Sequence, residues 1–295
     1  MATEASEKTV YIYDASSHWN WRTRLHELIE HKYLLYNLII RDIKARYKNS
    51  VLGILWSMLN PLGLMLVFTI VFSVLRTANI RQFPIFLLVA LIPWRLFAES
   101  LGTGSNAIIG NASLVKKVYF PRELLPISVI LSSLVNFLFG LIVLVIFLYA
   151  FDLGLTINAL WLPFILLTQT IFTLGLVLIL SSVSVFYRDV QMILEVVIQA
   201  LFFFTPIFYS FDTFFGPTAT FMGVTFNPTQ VMRWINPLAS IIDGYRTVLW
   251  GTQGSQGPVS MNPVFLLRTF IQSLIVLVIG YVIFVRSEHL FGEKL

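Results

Sequence analysis

The sequence lacks cysteine and is poor in charged residues, and both gaps limit what the chain can be. None of its 295 residues is Cys, and only 12% are Asp, Glu, Lys or Arg. Without thiols there is no disulfide, no cysteine nucleophile and no cysteine-ligated metal. An ordinary soluble domain is about 25% charged, so these residues are too few to cover a soluble globule. We therefore expect the membrane to be the solvent for most of the chain.

Common catalytic motifs are also missing from the sequence. It contains no G-x-x-x-x-G-K-[ST] loop, no H-E-x-x-H and no G-x-S-x-G. Nucleotide binding by a P-loop and the usual zinc or serine hydrolase sites are therefore not expected. The four histidines lie in the polar terminal stretches rather than in a cluster, so no metal site is predicted. We expect a chain that is not an enzyme and holds no cofactor of its own.

Long apolar stretches make up most of what is present. Hydrophobic residues are 57% of the chain, and the mean hydropathy is +0.80. Residues 51–75 carry no charged side chain, and as a helix they span about 37 Å, more than a hydrocarbon core of roughly 30 Å. The pattern predicts an all-α integral membrane domain over 51–286. Its six transmembrane helices are expected at 51–75, 84–104, 124–150, 160–186, 190–210 and 264–285.

The basic residues orient these helices. One set of loops and termini carries Lys8, Arg22, Arg24, Lys32, Arg41, Lys44, Arg46, Lys48, Lys116, Lys117, Arg122, Arg188, Arg286 and Lys294. The other set carries only Arg76, Arg81, Arg233, Arg246 and Arg268. The positive-inside rule places both termini in the cytoplasm, with residues 1–23 as a flexible N-terminus, not a signal peptide, and 287–295 as the C-terminus. Because the charges flank membrane segments, nucleic-acid binding is not expected.

One basic residue lies inside a predicted span. Arg95 follows Pro93 and Trp94, and Glu99 stands four residues further along the same helical face. We expect Glu99 to neutralise Arg95, or Arg95 to face an aqueous cavity.

Two polar pieces on the cytoplasmic side are candidates for partner contact. Residues 24–50 repeat apolar side chains at three- and four-residue spacing, which predicts an amphipathic helix or two short ones. Arg41 and Lys44 then face lipid headgroups or a partner; the alternative is a plain membrane anchor. The tight turn at Arg188 and Asp189 is either a solvated turn or a cap for the fifth helix.

A third cytoplasmic piece, residues 113–123, reads SLVKKVYFPRE. Tyr119 and Phe120 are predicted to be exposed aromatic residues flanked by charge. Such residues either dock into a groove of a protein or belong to the interfacial aromatic belt.

The outer side contains a long segment, 211–263, that is too apolar for a free loop and too broken by proline and glycine for a span. Short helices that dip back into the outer leaflet fit this composition, and they could form a gate. Trp234 and Tyr245 are among its aromatic residues.

Aromatic residues are 15% of the chain, and most are expected to pack or to face lipid. Those of the first and fifth spans are candidates for a channel lining, because aromatic rings stack on the C–H faces of sugars. The candidates are Trp56, Phe68, Phe72, Phe202, Phe203, Phe204, Phe208 and Tyr209.

Six pieces of the sequence carry a resemblance to a known family. They are RDIKARYKNSVLGILWSMLNPL (41–62), LIPW (91–94), KKVYFPRELLP (116–126), FYRDV (186–190), TPIFY (205–209) and NPLASIIDGYR (236–246). In this order they resemble the membrane permease of polysaccharide ATP-binding-cassette exporters of the O-antigen, teichoic-acid and capsule type. The resemblance covers nearly the whole chain after about residue 30, and Arg95 departs from it.

The resemblance implies a homodimer in the bacterial inner or plasma membrane, joined by two cytoplasmic ATPase subunits that bind ATP and Mg. It implies a lipid-linked glycan as the exported substrate, without identifying the glycan. It makes 24–48 an interface helix and 113–123 a coupling helix formed by Lys116, Lys117, Tyr119, Phe120, Arg122 and Glu123. It also places Asn236, Pro237 and Arg246 in the outer gate.

Three alternatives stay open. An exporter of the same superfamily could carry a small lipophilic molecule. A membrane enzyme acting on lipid-linked sugars would need clustered acidic or histidine residues at a membrane face, which the sequence does not offer. A stand-alone secondary carrier would need a charge near the midplane of the membrane.

Overall fold

The computed structural model describes residues 21–74, 80–210, 218–221, 224–252 and 256–295. Most of the predicted N-terminal segment 1–23 and part of the predicted gate segment 211–263 lie outside these residues.

Helices dominate the described residues, so the prediction of an all-α membrane fold is confirmed. The helices are α1 (Trp21–Glu30), α2 (Lys32–Tyr47), α3 (Leu55–Val74), α4 (Phe83–Ser105), α5 (Ala112–Lys117), α6 (Leu124–Ala150), α7 (Leu162–Phe186), α8 (Val190–Phe204), α9 (Pro228–Ile235), α10 (Pro237–Leu249), α11 (Pro263–Glu288) and α12 (Phe291–Lys294). Short 3₁₀ turns at Ile109–Asn111 and Ile157–Trp161 precede α5 and α7.

A small antiparallel hairpin is the exception to the helical fold. Strand β1 (Ala219–Phe221) pairs with β2 (Val224–Phe226), with Phe221 opposite Val224. The sequence predicted only short helices in this segment. The pairing of the two strands satisfies part of their backbone N–H and C=O groups.

Within the described ranges, five helices are long and apolar enough to cross a membrane, namely α3, α4, α6, α7 and α11. Helix α8 is apolar but has only 15 residues, which span about 22 Å, less than the hydrocarbon core. Five of the predicted spans are confirmed in length and composition. The predicted fifth span, 190–210, corresponds to α8 and stays a prediction.

Helix α4 lies at the centre of the bundle, although its sequence is the least regular of the spans. Residues 85–91 are each at most 1% exposed, and α4 packs against α3, α6, α7, α8 and α10. Composition does not account for this burial, because α3 has a higher mean hydropathy and is largely exposed. Pro93 lies inside it, and the carbonyl oxygen of Pro93 accepts a hydrogen bond of 2.7 Å from Gln169 of α7.

Two glycines bring α7 and α11 into close contact. A Cβ atom on Gly175 would lie 2.6 Å from the backbone nitrogen of Leu277, and one on Gly280 would overlap the carbonyl oxygen of Gly175. Small residues at such positions let membrane helices approach at their backbones. The close pairing fixes α11 against α7.

The bundle has two distinct ends. At one end, which we call the basic end, α1, α2 and α5 meet the last turns of α7 and α11. A buried cluster unites them, made of Leu38, Ala107, Ile108, Val115, Phe120, Leu124, Leu125, Leu178, Phe284 and Phe291. At the opposite end, the loops are joined by hydrogen bonds from Gln82 to the Phe151 carbonyl (2.7 Å) and from Trp250 to the Arg81 carbonyl (3.1 Å).

Candidate functional site

A short exposed strip lies at the end of α5, at the basic end of the bundle. Residues 116–119 of this strip are exposed, and Tyr119 is 69% exposed. Val115 and Phe120, on either side of it, are buried in the cluster at the basic end. The strip is therefore an exposed segment fixed at both ends to the helical bundle, and we call it the exposed strip.

The predicted exposure of Phe120 is wrong, because this side chain is only 4% exposed. Helix α5 ends at Lys117 and Val118 is extended, with φ −128° and ψ 137°. This turn in the backbone returns Phe120 to the buried cluster that also contains Leu124 and Phe291.

Arg122 and Glu123 were predicted to form part of the partner surface, but both make contacts within the chain. Glu123 is 2% exposed and pairs with Arg24 of α1, which also bonds Glu288 of α11 at 2.9 Å. Arg122 donates to the carbonyl oxygen of Glu288 and lies 6.0 Å from the Phe291 ring centroid. Burial, and then the like charge of Glu288, raise the pKa of the Glu123 carboxyl, while Arg24 opposes both. These residues hold α1, α6 and α11 together.

Helix α2 is attached directly to the segment that carries the exposed strip. Arg41 donates to the side-chain oxygen of Asn111 at 2.7 Å and pairs with Asp42 at 2.8 Å. Asn111 ends the 3₁₀ turn before α5, so α2 and α5 are tied to each other. The predicted interface region consists of two helices, which agrees with one of the two forms expected from its sequence.

The remaining predicted partner residues are exposed. Lys44 lies on the exposed side of α2, and Arg188 and Asp189 form the exposed turn between α7 and α8. Asp189 occupies the residue before α8, but its side chain makes no capping hydrogen bond. The structure therefore shows a solvated turn, not a side-chain cap.

The positive charge of Arg95 inside α4 is paired with Glu99, which is one of the two arrangements expected from the sequence. Arg95 pairs with Glu99, and Arg46 of α2 pairs with the other oxygen of Glu99 at 2.7 Å. Nearby, the hydroxyl of Tyr47 donates to the side-chain oxygen of Asn136 at 2.7 Å. The role of Arg46 was not apparent from the sequence, because the partners are 53 residues apart.

Six of the eight predicted channel residues form one aromatic cluster that joins α3, α8 and the segment after α8. Its ring centroids are separated by 5.2–6.4 Å, and its members are Phe68, Phe72, Phe202, Phe203, Phe208 and Tyr209. Trp56 lies near the start of α3, about 18 Å along the helix from Phe68. Trp56 and Phe204 are 51% and 62% exposed.

The first residues of α10 connect it to the segment after α8. The side-chain oxygen of Asn236 accepts from the Ala239 nitrogen at 3.3 Å, which caps α10, and Pro237 follows at the first helical position. The amide nitrogen of Asn236 donates to the Thr205 hydroxyl at 3.1 Å.

Arg246 makes the second connection between these two segments. Its guanidinium donates to the carbonyl oxygens of Ile207 (2.5 Å) and Tyr209 (3.3 Å) and lies 3.6 Å from the ring centroid of Phe86. Arg246 is 4% exposed. The sequence pieces 205–209 and 236–246 therefore form one unit.

The two other predicted gate residues lie in different surroundings. Tyr245 is 2% exposed and its ring centroid is 6.2 Å from that of Phe137, so it belongs to the core between α10 and α6. Trp234 is 58% exposed, with the Arg268 guanidinium 4.7 Å from its ring centroid.

Among the described residues, no three His, Asp or Glu side chains are placed to share a metal ion.

Comparisons with known proteins identify the family. A family model described as ABC-2 type transporter matches residues 33–250, from α2 to the end of α10. The chain is 35% identical over 224 residues to the O-antigen export system permease protein RfbA of Myxococcus xanthus, covering 76% of this chain and 83% of that protein.

Other relatives point the same way. The protein of the same name from Klebsiella pneumoniae is 30% identical over 269 residues, covering 88% of this chain and 96% of that protein. The polysialic acid transport protein KpsM of Escherichia coli is 32% identical over 97 residues, covering 32% of this chain and 36% of that protein. The chain belongs to the ABC-2 type transporter family of membrane proteins.

Proposed function

We propose that this chain is the transmembrane permease subunit of an ATP-driven exporter in a bacterial inner or plasma membrane. It passes a lipid-linked polysaccharide, of the O-antigen, capsule or teichoic-acid type, outward from the cytoplasm. Two copies of the chain form the path, and two separate ATPase subunits bind ATP and Mg. The family match and the named relatives support this proposal. The observation that carries it is the exposed strip at the basic end, fixed on both sides by buried residues.

The basic end faces the cytoplasm in this proposal, because it collects most of the basic residues. The ATPase then contacts the exposed strip, where Lys116, Lys117 and Tyr119 are exposed. Lys44, Arg188 and Asp189 are exposed at the same end and extend this surface.

Movement of the strip reaches the transmembrane helices through specific contacts. Phe120 transmits it to the buried cluster, and Arg41 transmits it to α2 through Asn111. From α2, the pair of Arg46 with Glu99 leads to α4 at the centre of the bundle. ATP binding shifts the permease between states only because the closed ATPase pair has different affinity for them.

The proposed substrate path lies along α3 and α8, which expose large apolar faces. The aromatic cluster connects these helices toward the opposite end and supplies ring faces on which sugars stack without fixed hydrogen bonds. The unit formed by residues 205–209 and 236–246 lies beside this cluster and acts as the outer gate. Tyr209 belongs to both.

The substrate class is tested with inside-out membrane vesicles that contain this chain and its ATPase. We expect ATP to drive a lipid-linked glycan into the lumen, where added glycosidase cannot reach it, while a small lipophilic dye is not accumulated. A vesicle that accumulates the dye and leaves the glycan accessible would instead identify an exporter of small lipophilic molecules. If ATP did not drive the glycan into the lumen of these vesicles, the proposal would be contradicted.

A further inference from the structure

A cavity of about 420 Å³ lies between α1, α6, α7 and α11 near the basic end. Its walls are aliphatic, and they include Ile127, Leu174, Leu178, Leu277, Val282 and Val285. Arg24, Glu123 and Tyr281 supply the polar part of its lining. Val278 also lines the cavity and is 60% exposed, so the cavity reaches the outer surface of the bundle.

The depth of the cavity indicates what surrounds it. Its walls on α11 run from Leu277 to Val285, and α11 ends at Glu288. At the rise of a helix, these positions lie about 5–16 Å from the end of α11, within the half of the hydrocarbon core nearest the basic end. Apolar cavities do not hold water stably. Lipid acyl chains are the medium at this depth, so an acyl chain is the natural occupant of the cavity.

The polar lining identifies the headgroup that fits. Glu123 is 2% exposed. One of its carboxylate oxygens accepts a hydrogen bond from Arg24, and the other, Oε2, is buried without a hydrogen-bond partner. A buried carboxylate oxygen requires a donor. The adjoining charged groups, Arg24, Arg122, Glu123 and Glu288, balance to zero, so they favour a zwitterionic headgroup over an anionic one.

We propose that the cavity is a binding site for one phospholipid with a primary-ammonium headgroup, drawn from the leaflet at the basic end. One acyl chain fills the aliphatic cavity, and the ammonium donates a hydrogen bond to Oε2 of Glu123. The lipid contacts α1, α6, α7 and α11 together and thereby holds the first helix against the bundle. This site is separate from the path along α3 and α8.

Lipid exchange on the unaltered chain tests the headgroup. The full-length chain is purified in mild detergent, stripped of lipid, and mixed with ethanolamine, choline or glycerol phospholipids of equal chain length. Native mass spectrometry should show one retained ethanolamine lipid per chain and a higher unfolding temperature with it. Because the choline headgroup has no N–H donor, its retention should be about tenfold weaker. Equal retention of all three lipids would overturn the headgroup assignment.

Substitution tests the position of the site. Val282→Trp fills the cavity and should abolish the lipid adduct, whereas Val264→Trp should retain it. Val264 is the same residue type on the same helix, near the opposite end and 76% exposed. Retention of the adduct in Val282→Trp would place the lipid elsewhere. If the lipid-free chain self-associates and Val282→Trp abolishes this association, a second copy of the chain occupies this face. That result would also overturn the proposal.

Discussion

Arg46 and Glu99 join the helix α2 at the basic end to α4 at the centre of the bundle. Their charged groups are 2.7 Å apart, and Glu99 also pairs with Arg95. One carboxylate therefore pairs with two guanidinium groups, whose side chains are 26% and 24% exposed, and the three groups together carry a net positive charge. Charged groups at membrane depth are unfavourable unless they are paired, so Glu99 determines the stability of this contact.

We predict that Glu99→Gln destabilises the chain more than Arg95→Gln does. The first change leaves two cations without a counter-charge, while the second leaves the pair of Arg46 and Glu99 intact. Because these side chains are about a quarter exposed, we expect a loss of about 1–3 kcal/mol for Glu99→Gln and less than about 1 kcal/mol for Arg95→Gln. Thermal unfolding in detergent measures both, and equal losses would contradict the role of Glu99.

The second prediction separates coupling from stability at neighbouring positions. Phe120→Ala removes a buried ring and should lower the free energy of unfolding by about 3–5 kcal/mol. Tyr119→Ala changes an exposed side chain and should leave unfolding within about 0.5 kcal/mol of the unaltered chain. We expect Tyr119→Ala to reduce export in vesicles because it weakens the contact with the ATPase.

Two measurements are therefore made on each variant, unfolding in detergent and ATP-dependent export in vesicles. A triple variant with Lys116→Ala, Lys117→Ala and Tyr119→Ala that exports normally would show that the exposed strip is not the coupling surface. A Phe120→Ala chain as stable as the original would contradict the burial of this ring.

The third prediction concerns the close contact of α7 and α11. Gly175→Ala places a methyl group 2.6 Å from the backbone nitrogen of Leu277, so the two helices must separate. We expect a loss of about 1–3 kcal/mol. Gly63→Ala is the control: nothing lies within 4 Å of its Cβ position, and alanine in a helix is favoured over glycine by about 0.5–1 kcal/mol. We expect Gly175→Ala to lower the thermal unfolding temperature and Gly63→Ala to raise it. If both substitutions raised it, the close contact of α7 and α11 would be contradicted.

The fourth prediction concerns the proposed outer gate. Arg246→Lys keeps the positive charge but cannot reach two carbonyl oxygens with a planar group or stack on Phe86 in the same way. We expect the segment after α8 to detach, which should raise its hydrogen-exchange rate and reduce export, while ATP hydrolysis by the partner continues. Arg286→Lys, at an exposed position of α11 near the basic end, should change neither quantity. Unchanged exchange in Arg246→Lys would contradict the connection between the two segments.

The spans were predictable because length and lack of charge suffice to define them. Residues 124–150 were predicted as a helix, and α6 covers Leu124–Ala150. The hairpin of β1 and β2 was not predicted, since two strands of three residues leave little periodicity in the sequence. Pro93, Arg95 and Glu99 suggested an irregular helix for α4, but its burial depended on neighbours that the sequence does not reveal.

The candidate site was predicted in part. The exposed strip was found from its lysines and Tyr119, and the neutralisation of Arg95 from the four-residue spacing to Glu99. The contacts of Arg24 with Glu288, 264 residues apart, and of Arg246 with Ile207 depend on tertiary packing. One sequence gives the composition of such sites, but it does not give the pairing of their residues.

The central claim is that this chain is a passage driven by a motor that lies on another polypeptide. It is tested most directly by reconstituting the purified chain in liposomes, with and without its ATPase, in the presence of lipid-linked glycan and ATP. We predict that glycan translocation against its gradient occurs only when the ATPase is present. Uphill translocation by the chain alone would contradict the account.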